Sequence, residues 1–274
     1  MEIKFDNKML SKNQVKFVNS LKQKKFRTEH NLFIAEGTKI VSELLQSKIR
    51  VKQLFATADF LSRIDGWVRE KIKINRDIEC FEINNNELER LSALISPNEV
   101  LAVCEIPEHD LNKAELNDKL TLVLDNIKDP GNLGTIIRVA DWFGIDTIIC
   151  SNETVDAFNS KVVQATMGSI ARIKLYYVDL TDFFEELKIF RTNVSLPVYG
   201  ALIEGEAIYS KQLTSNGLII IGNESKGISN NLIPFITDKI SIPSFSHFKS
   251  EEGEAESLNA AIATSIICSE FRRK

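Results

Sequence analysis

Hydrophobic residues in the first part of the chain alternate between helical and extended spacing. Runs rich in β-branched and aromatic residues at 52–57, 78–83 and 100–105 predict strands. Apolar residues three and four positions apart predict two amphipathic helices, one through Val15, Val18 and Leu21 and one through Ile40, Val41, Leu44 and Leu45. Together these elements predict a small α/β domain.

The second part of the chain has continuous apolar runs in place of alternation. They occupy residues 120–124, 147–150, 173–178, 218–221 and 240–242. Runs that are apolar at every position are typical of strands buried on both faces, so they predict a mostly parallel sheet covered by helices. Ligands bind such sheets outside the carboxyl ends of the strands, which makes the loops after these runs the candidate sites.

A final apolar segment near the C-terminus predicts a helix that packs on this sheet. Ser257 is placed to cap its start. Its expected buried stripe consists of Leu258, Ala261, Ile262, Ser265 and Ile266.

The two parts are separated by a polar stretch that begins at Pro107 and ends at Asn117. Ten of the twelve glycines lie after this stretch, so turn composition also changes there. We therefore predict a first domain over residues 1–106, a linker over 107–117 and a second domain over 118–274.

The overall composition excludes some classes of protein, and the distribution of charge along the chain indicates a possible partner. The chain has 274 residues, of which 43% are hydrophobic and 26% charged, and this excludes a disordered or collagen-like protein. A net charge of −4 does not suggest a nucleic-acid partner. Residues 1–27, however, contain eight basic and only two acidic side chains. Such a local excess of positive charge suits the neutralisation of phosphates.

The cysteines give no sign of a metal or redox site. Cys80, Cys104, Cys150 and Cys268 lie far apart and form no CxxC pair, so we predict buried thiols in a reducing compartment and no metal. The N-terminus does not resemble a secretory signal, and the apolar runs are too short to span a membrane. A cytoplasmic protein without a membrane partner is expected.

The loop after residues 120–124 contains candidate chemical groups. It begins at Asp125, contains Asn132 as a candidate helix cap, and is followed by Arg138 less than two helical turns later. It has neither the Gly-Lys-Ser/Thr of a P-loop nor the GxGxxG of a dinucleotide-binding fold. The local chemistry of this loop fits two interpretations. It could be a functional site, or it could be an ordinary turn into a helix, with a capping asparagine and a solvated arginine.

Two later loops have the same ambiguity when each is considered alone. The loop after residues 218–221 places Gly222 and Gly227 on either side of Glu224, and glycines let backbone amides approach a bound group closely. The third loop begins at Ile242 and ends just before the C-terminal helix. A strand-to-helix turn would explain each of them.

Taken in order, the loops resemble the SpoU (TrmH-like) RNA ribose 2′-O-methyltransferases of the SPOUT class. Residues 155–168 also resemble the segment that this family places between its first two motifs. The first motif is matched by Asp125, Pro130, Asn132, Gly134 and Arg138, the second by Gly222, Glu224 and Gly227, and the third by Ile242, Pro243, Ser257, Leu258 and Asn259.

This resemblance implies an α/β catalytic domain with a trefoil knot, S-adenosylmethionine as cofactor, and a homodimer whose paired knots build the active site. Backbone groups near Gly222, Ile242 and Leu258 would hold the cofactor. The reaction centre would be lined by Asn132, Arg138, Glu224, Ser257 and Asn259.

The implied reaction moves a methyl group from a sulfonium to a ribose 2′-hydroxyl. A guanidinium stays protonated at neutral pH and is a poor base. We therefore expect Arg138 to bind a substrate phosphate and to stabilise the developing alkoxide. A proton transfer assisted by that phosphate is the alternative role.

One loop departs from the family pattern. Residues 244–256 form a longer segment than the family's short glycine-containing loop, and they include His247 and four glutamates. Because this loop would border the cofactor, its length bears on the contacts expected there. A solvated surface histidine is the simpler interpretation of His247.

The N-terminal part resembles the substrate-binding domain that often precedes this catalytic domain, a fold shared with ribosomal RNA-binding proteins. Residues 11–14, 24–27 and 33–37 show the likeness. Candidate RNA-binding residues are Lys12, Lys22, Lys24, Lys25 and Arg27. This domain favours ribosomal RNA over transfer RNA as substrate. A catalytically inactive RNA-binding or assembly factor is the alternative from another class.

Overall fold

The computed structural model describes residues 10–64, 66, 78–190, 196–245 and 257–273. The chain forms two units, the first made of Met1–Glu108 with Asp156–Arg172 and the second of His109–Val155 with Ile173–Lys274. The chain thus passes between the units after residues 108, 155 and 172. The first passage lies within the predicted linker, whereas residues 156–172 were expected in the second domain.

The elements alternate along the described chain. The helices are α1 (Lys12–Ser20), α2 (Lys24–His30), α3 (Thr38–Gln46), α4 (Ala58–Arg63), α5 (Asn85–Leu91), α6 (Pro130–Trp142), α7 (Ser160–Thr166), α8 (Leu180–Phe190) and α9 (Ala260–Arg272). The strands are β1 (Leu32–Glu36), β2 (Val51–Ala56), β3 (Glu79–Glu82), β4 (Val100–Glu105), β5 (Leu120–Leu124), β6 (Thr147–Ser151), β7 (Lys174–Val178), β8 (Val198–Ala207), β9 (Gly217–Ile221) and β10 (Asp238–Ser241).

The first unit is built on a four-stranded sheet of order β1-β4-β2-β3. Strand β4 runs antiparallel to both β1 and β2, while β2 and β3 are parallel. Val18, Leu21, Phe55 and Leu101 are among the side chains that fill the core between this sheet and its helices. The predicted α/β domain is present, and it includes the strand β1, which was not predicted.

Reciprocal capping fixes two helix starts in the first unit. Ser11 and Gln14 exchange side-chain and backbone hydrogen bonds at the start of α1, and Asn84 and Glu87 do the same at α5. Each cap satisfies amide groups that a helix start otherwise leaves without partners, and a cap of this kind contributes about 1 kcal/mol.

The second unit contains a six-stranded sheet of order β10-β8-β9-β5-β6-β7. Every neighbouring pair of its strands is parallel, as predicted from the continuous apolar runs. The buried side chains of β5 and β9 form one core with those of α8, including Val123, Ile220 and Phe184. Because the strands are parallel, the loops after β5, β9 and β10 lie at the same edge of the sheet.

Strand β8 makes an unusually close approach to β10. A Cβ atom on Gly205 would lie 2.4 Å from the carbonyl carbon of Ile240, so only glycine allows the two backbones to lie this close together. The register between the strands also shifts between Lys239 and Ile240. The trefoil knot implied by the family resemblance stays a prediction.

Several further expectations can be compared with the fold. The four cysteines are free and buried, as predicted. Ala261 is buried in α9, but Leu258 and Ile262 are 47% and 52% exposed, which corrects the predicted buried stripe.

His247 and the glutamates of the 244–256 loop lie outside the described residues. In the described part of the chain, no helix is both long and apolar enough to cross a membrane.

Candidate active site

The loop after β5 starts α6 with a cap different from the one expected. Asp129 is the N-cap, and its carboxylate accepts a hydrogen bond of 2.7 Å from the backbone amide of Asn132. Pro130 occupies the first helical position, where its missing N–H costs nothing. Asn132 was predicted as the cap. Since Asp129 performs that task, the Asn132 side chain is available for other contacts.

Asn132 joins the first and second predicted motifs. Its side-chain amide donates a hydrogen bond to the Glu224 carboxylate, in the loop after β9. Both side chains are half-buried. A carboxylate that accepts from an amide keeps its second oxygen available, so Glu224 can still accept a hydrogen bond from a substrate group.

The start of α9 brings the third motif to the same place. Asn259, and not Ser257 as predicted, is the N-cap, and its side-chain oxygen accepts from the amides of Ala261 and Ile262. The Asn259 side-chain nitrogen donates to Asn132 Oδ1 at 2.8 Å. Ser257 Oγ donates to the backbone carbonyl of Glu224 at 3.2 Å. Four of the five predicted reaction-centre residues therefore form one hydrogen-bonded group.

Two residues that were not predicted hold the second motif in place. Asn223 donates through its side chain to the backbone carbonyl of Asn126 at 2.9 Å, and its oxygen accepts from the amides of Ser225 and Lys226. Asn126 has a φ of +60°, a conformation that asparagine tolerates better than most residues. Asparagines beside the matched motifs were the available sequence signal, since they commonly bond to nearby backbone.

Gly222 is required by the shape of the same loop. A Cβ atom at this position would lie 2.3 Å from the carbonyl carbon of Gly227 and 2.4 Å from the amide nitrogen of Ile228. Asn223 and Gly227 also form a short antiparallel bridge. The loop therefore closes tightly on itself directly after β9.

Arg138 is not part of the hydrogen-bonded group. Its side chain is exposed on α6 and makes no hydrogen bond or ion pair with any residue the structure describes. It lies on the same helix face as Trp142, four positions later, which is 85% exposed. Arg138 is thus available to a group from outside the described chain.

The predicted cofactor-binding positions fit a ligand held by backbone groups. Gly222 and Ile242 directly follow β9 and β10, and Leu258 precedes α9. Within the described residues, the backbone amides and carbonyls of these three positions make no hydrogen bond to other backbone. The nearby side chains of Leu258 and Phe245 are 47% and 79% exposed, so apolar surface is also available at this edge.

The predicted RNA-binding residues differ in their availability. Lys12, Lys24 and Lys25 are exposed. Lys22 is half-buried and donates to the carbonyl of Ser92 at 2.8 Å; burial lowers its pKa, and the nearby charge of Glu36 opposes that shift. Arg27 is 3% exposed and engaged within the first unit, so contrary to expectation it offers no free guanidinium to RNA.

In the described residues, no group of three or more His, Cys, Asp or Glu side chains is arranged to hold a metal ion.

Comparison with known proteins identifies both units. The SpoU rRNA Methylase family matches residues 119–269, and the MRM3-like substrate binding domain matches residues 12–102. The 23S rRNA (guanosine(2553)-2′-O)-methyltransferase RlmP of Bacillus subtilis is 31% identical over 96% of this chain and 97% of its own length. The 23S rRNA (uridine(2479)-2′-O)-methyltransferase of Streptomyces viridochromogenes is 28% identical over 90% of this chain and 85% of its own.

The fold of this chain is also similar to that of a solved rRNA methyltransferase structure. The AdoMet-bound rRNA methyltransferase of Sinorhizobium meliloti has 29% sequence identity and a TM-score of 0.81, and the match covers 98% of this chain and 97% of that chain. The family, the fold class and the enzyme class inferred from the sequence motifs are confirmed. The chain belongs to the SpoU rRNA methylase family and has an MRM3-like substrate-binding domain in its N-terminal part.

Proposed function

We propose that this protein transfers a methyl group from S-adenosylmethionine to the 2′-hydroxyl of a ribose in 23S ribosomal RNA. The observation that carries the proposal is the hydrogen-bonded group of Asn132, Glu224, Ser257 and Asn259, formed by three loops that are distant in sequence. Relatives similar over nearly the full chain act on 23S ribosomal RNA, which supports this substrate over transfer RNA and is compatible with the cytoplasmic location that we propose.

The residues of the site have separable tasks. Backbone groups of Gly222, Ile242 and Leu258 hold the cofactor, which supplies an electrophilic methyl group when bound. Glu224, fixed by Asn132, accepts a hydrogen bond from the ribose and orients it. Arg138 binds a phosphate next to that ribose and stabilises the negative charge that develops on the 2′-oxygen as the hydroxyl proton passes to that phosphate or to water.

The test of this function uses labelled cofactor and ribosomal RNA from cells that lack the protein. The purified protein should transfer labelled methyl groups to 23S RNA, and mapping of ribose methylation should reveal one position that is lost in those cells. If only transfer RNA were methylated, the proposed 23S RNA substrate would be wrong and transfer RNA would take its place. Absence of both transfer and measurable cofactor binding would favour the inactive assembly factor.

We further propose that the protein is a homodimer formed through α6 and α9. These helices pack against each other, and Arg272 of α9 donates to the carbonyls of Phe143 and Gly144 at the end of α6. Trp142 and Ile262, one on each helix, are 85% and 52% exposed. Exposed large apolar side chains on neighbouring helices favour a protein interface. Arg138 lies on the same face of α6 as Trp142. In the proposed dimer, the second copy would therefore lie next to Arg138 as well.

Replacing Trp142 with glutamate should convert this dimer to a monomer. A central tryptophan often contributes 2 kcal/mol or more to binding, so we expect the dimer dissociation constant to rise by about 30-fold or more. Sedimentation velocity over a range of concentrations measures this. Tyr209→Glu provides a control, because Tyr209 is 43% exposed but lies outside both helices. A Trp142→Glu protein that sediments as the wild type would exclude this interface.

Exposed lysines of the first unit should make RNA binding dependent on salt. Each lysine that neutralises a phosphate contributes about 0.7–0.9 to the slope of log affinity against log salt concentration. The Lys24→Ala/Lys25→Ala variant should therefore reduce the slope by about 1.5, measured by filter binding to 23S RNA fragments. Lys239→Ala, an exposed lysine of the second unit, is the matched control. Equal slopes for the double variant and the wild type would remove these lysines from the RNA surface.

A further inference from the structure

A polar cavity of about 200 Å³ lies at the carboxyl ends of β5, β6 and β7, entirely within the second unit. Its wall includes Asp125 directly after β5, Asp179 directly after β7, and Leu232 from the segment between β9 and β10. A single bound water needs only about 10–15 Å³ of such space. The cavity therefore has room for an organic group and not only for water.

Asp125 contributes a buried carboxylate oxygen that has no partner. The residue is 4% exposed, and its Oδ2 accepts a hydrogen bond of 2.7 Å from the amide of Ser229. Its Oδ1 makes no hydrogen bond with any residue that the structure describes. The Oδ1 atom of Asn126, which also lines the cavity, is likewise buried without a partner in that part of the chain. Because buried acceptors without donors cost free energy, both favour a ligand that donates hydrogen bonds.

The charge of the cavity argues against a phosphate, and its shape of wall argues against a hydrated cation. Asp125, Glu153 and Asp179 are carboxylates, and of the described residues that line the cavity none is a lysine or an arginine. A phosphate would be repelled by such a wall. Leu180 and Leu232, which are 5% and 2% exposed, add apolar surface. Apolar side chains suit the face of an aromatic ring.

Thr181 adds a hydrogen-bond donor to the same wall. Its oxygen accepts from the side-chain amide of Asn231 at 2.6 Å, so its hydroxyl hydrogen is available to an acceptor on a ligand. The cavity thus combines acceptors on Asp125 and Asn126 with a donor on Thr181. This combination matches the edge of a nucleobase that carries an amino group beside a ring nitrogen or a carbonyl oxygen. Uracil, which has no exocyclic amino group, matches it less well.

Two hydrogen bonds connect the cavity to the loop that carries Glu224. Ser229, at the end of this loop, donates to Asp125, and Asn223, at its start, donates through its side chain to the carbonyl of Asn126 at 2.9 Å. Two consecutive residues of the cavity wall therefore hold both ends of the loop. A base bound in the cavity would lie beside the loop that is proposed to orient the ribose.

We propose that this cavity binds a nucleobase with an exocyclic amino group, at or directly next to the ribose that is methylated. The inference rests on the proposed function. Asp125 accepts a hydrogen bond from the amino group, Thr181 donates to the neighbouring ring nitrogen or carbonyl, and the two leucines contact the ring. Binding of the base selects the nucleotide whose 2′-hydroxyl reaches Glu224.

The test measures kcat/KM for methyl transfer to a 23S RNA fragment that contains the methylated position. The methylated nucleotide and its two neighbours are replaced in turn by analogues that lack only the amino group: inosine for guanosine, purine riboside for adenosine and zebularine for cytidine. At one of these positions kcat/KM should fall by about tenfold or more. Equal kcat/KM for every analogue would overturn the proposal, as would a natural substrate with uridine at all of these positions.

Asp125→Asn should remove this discrimination. The asparagine oxygen can still accept from Ser229, but its amide nitrogen replaces the free carboxylate oxygen and donates where the carboxylate accepted. Natural and analogue RNA should then differ by less than about twofold, with cofactor affinity unchanged in calorimetry. Asp182→Asn is the matched control and should discriminate as the wild type does, because Asp182 is an exposed carboxylate next to Thr181 that does not line the cavity. Wild-type discrimination in Asp125→Asn would overturn the proposal.

Thr181→Phe provides the test if Asp125→Asn does not fold. Thr181 is half-buried in the first turn of α8, so a phenylalanine there should fill the cavity and reduce kcat/KM by about tenfold or more, with cofactor affinity retained. Wild-type kcat/KM in the folded variant would show that no base enters the cavity. A wild-type protein that methylates no RNA contradicts the proposed function itself, whereas an active wild type that is insensitive to the analogues contradicts the base-binding site alone.

Discussion

Replacing Arg138 with alanine should reduce the rate of methyl transfer at saturating RNA by about 100-fold or more. Removal of one donor that stabilises a developing oxyanion typically costs about 10²–10³ in rate. Arg138 is the predicted reaction-centre residue that has no partner within the described chain, so its loss should leave the fold unchanged. Single-turnover assays with labelled cofactor measure the rate, and thermal unfolding checks the fold.

The lysine variant distinguishes the possible roles of Arg138. Arg138→Lys keeps the positive charge but cannot form two parallel hydrogen bonds to a phosphate, so we expect it to recover only a small part of the rate. Arg273→Ala is a suitable control, since Arg273 is exposed and pairs with Glu270 in the same unit. Full activity of Arg138→Lys would show that charge alone is sufficient.

Replacing Gly222 with alanine should abolish cofactor binding and destabilise the second unit. The new methyl group would lie 2.3 Å from the backbone of Gly227, and backbone cannot move away as a flexible side chain can. We expect the free energy of unfolding to fall by about 3 kcal/mol, at the upper end of typical overpacking costs. Calorimetry measures cofactor binding, and denaturant unfolding measures stability.

Gly144→Ala separates the steric effect from the cost of backbone conformation. Gly144 has a φ of +66°, but no atom lies within 4 Å of the position its Cβ would occupy. Only the cost of the left-handed conformation, about 1–2 kcal/mol, should appear there, with cofactor affinity retained. Normal cofactor affinity in Gly222→Ala would show that the loop after β9 can open without loss of the site.

The sheets were largely predictable because their strands are short continuous apolar runs. Strand β8 was missed since Gly200 and Gly205 interrupt it and its outer half is exposed, including Ile203 at 81%. Strand β1 was missed because it ends in Glu36, a residue that rarely lies in a core. Glu36 is buried nonetheless, because its carboxylate accepts from the Ser92 hydroxyl and the Ala93 amide. Partners so distant in sequence leave no local signal.

The site residues, like the strands, divide into those that the sequence indicates and those whose role depends on partners distant in the chain. The group around Asn132 was inferred through resemblance to a family, whereas its local chemistry also fitted a plain helix cap. Arg27 lies among lysines and was assigned to RNA for that reason. Its burial depends on Asp156, whose position 129 residues later is set by folding. Charge along a sequence therefore predicts a basic surface, but not which cations remain on it.

The division of the first unit into two chain segments has a consequence for synthesis on the ribosome. When residue 108 has emerged, β1 still lacks α7, and Arg27 has no Asp156 to neutralise it. Residue 172 follows 64 residues later, after roughly 3–13 s at the usual rate of translation. The nascent chain must therefore hold an unfinished N-terminal unit while β5, α6 and β6 are made. The first unit can complete its folding only after residue 172 has emerged, when the first segment of the second unit has already been made.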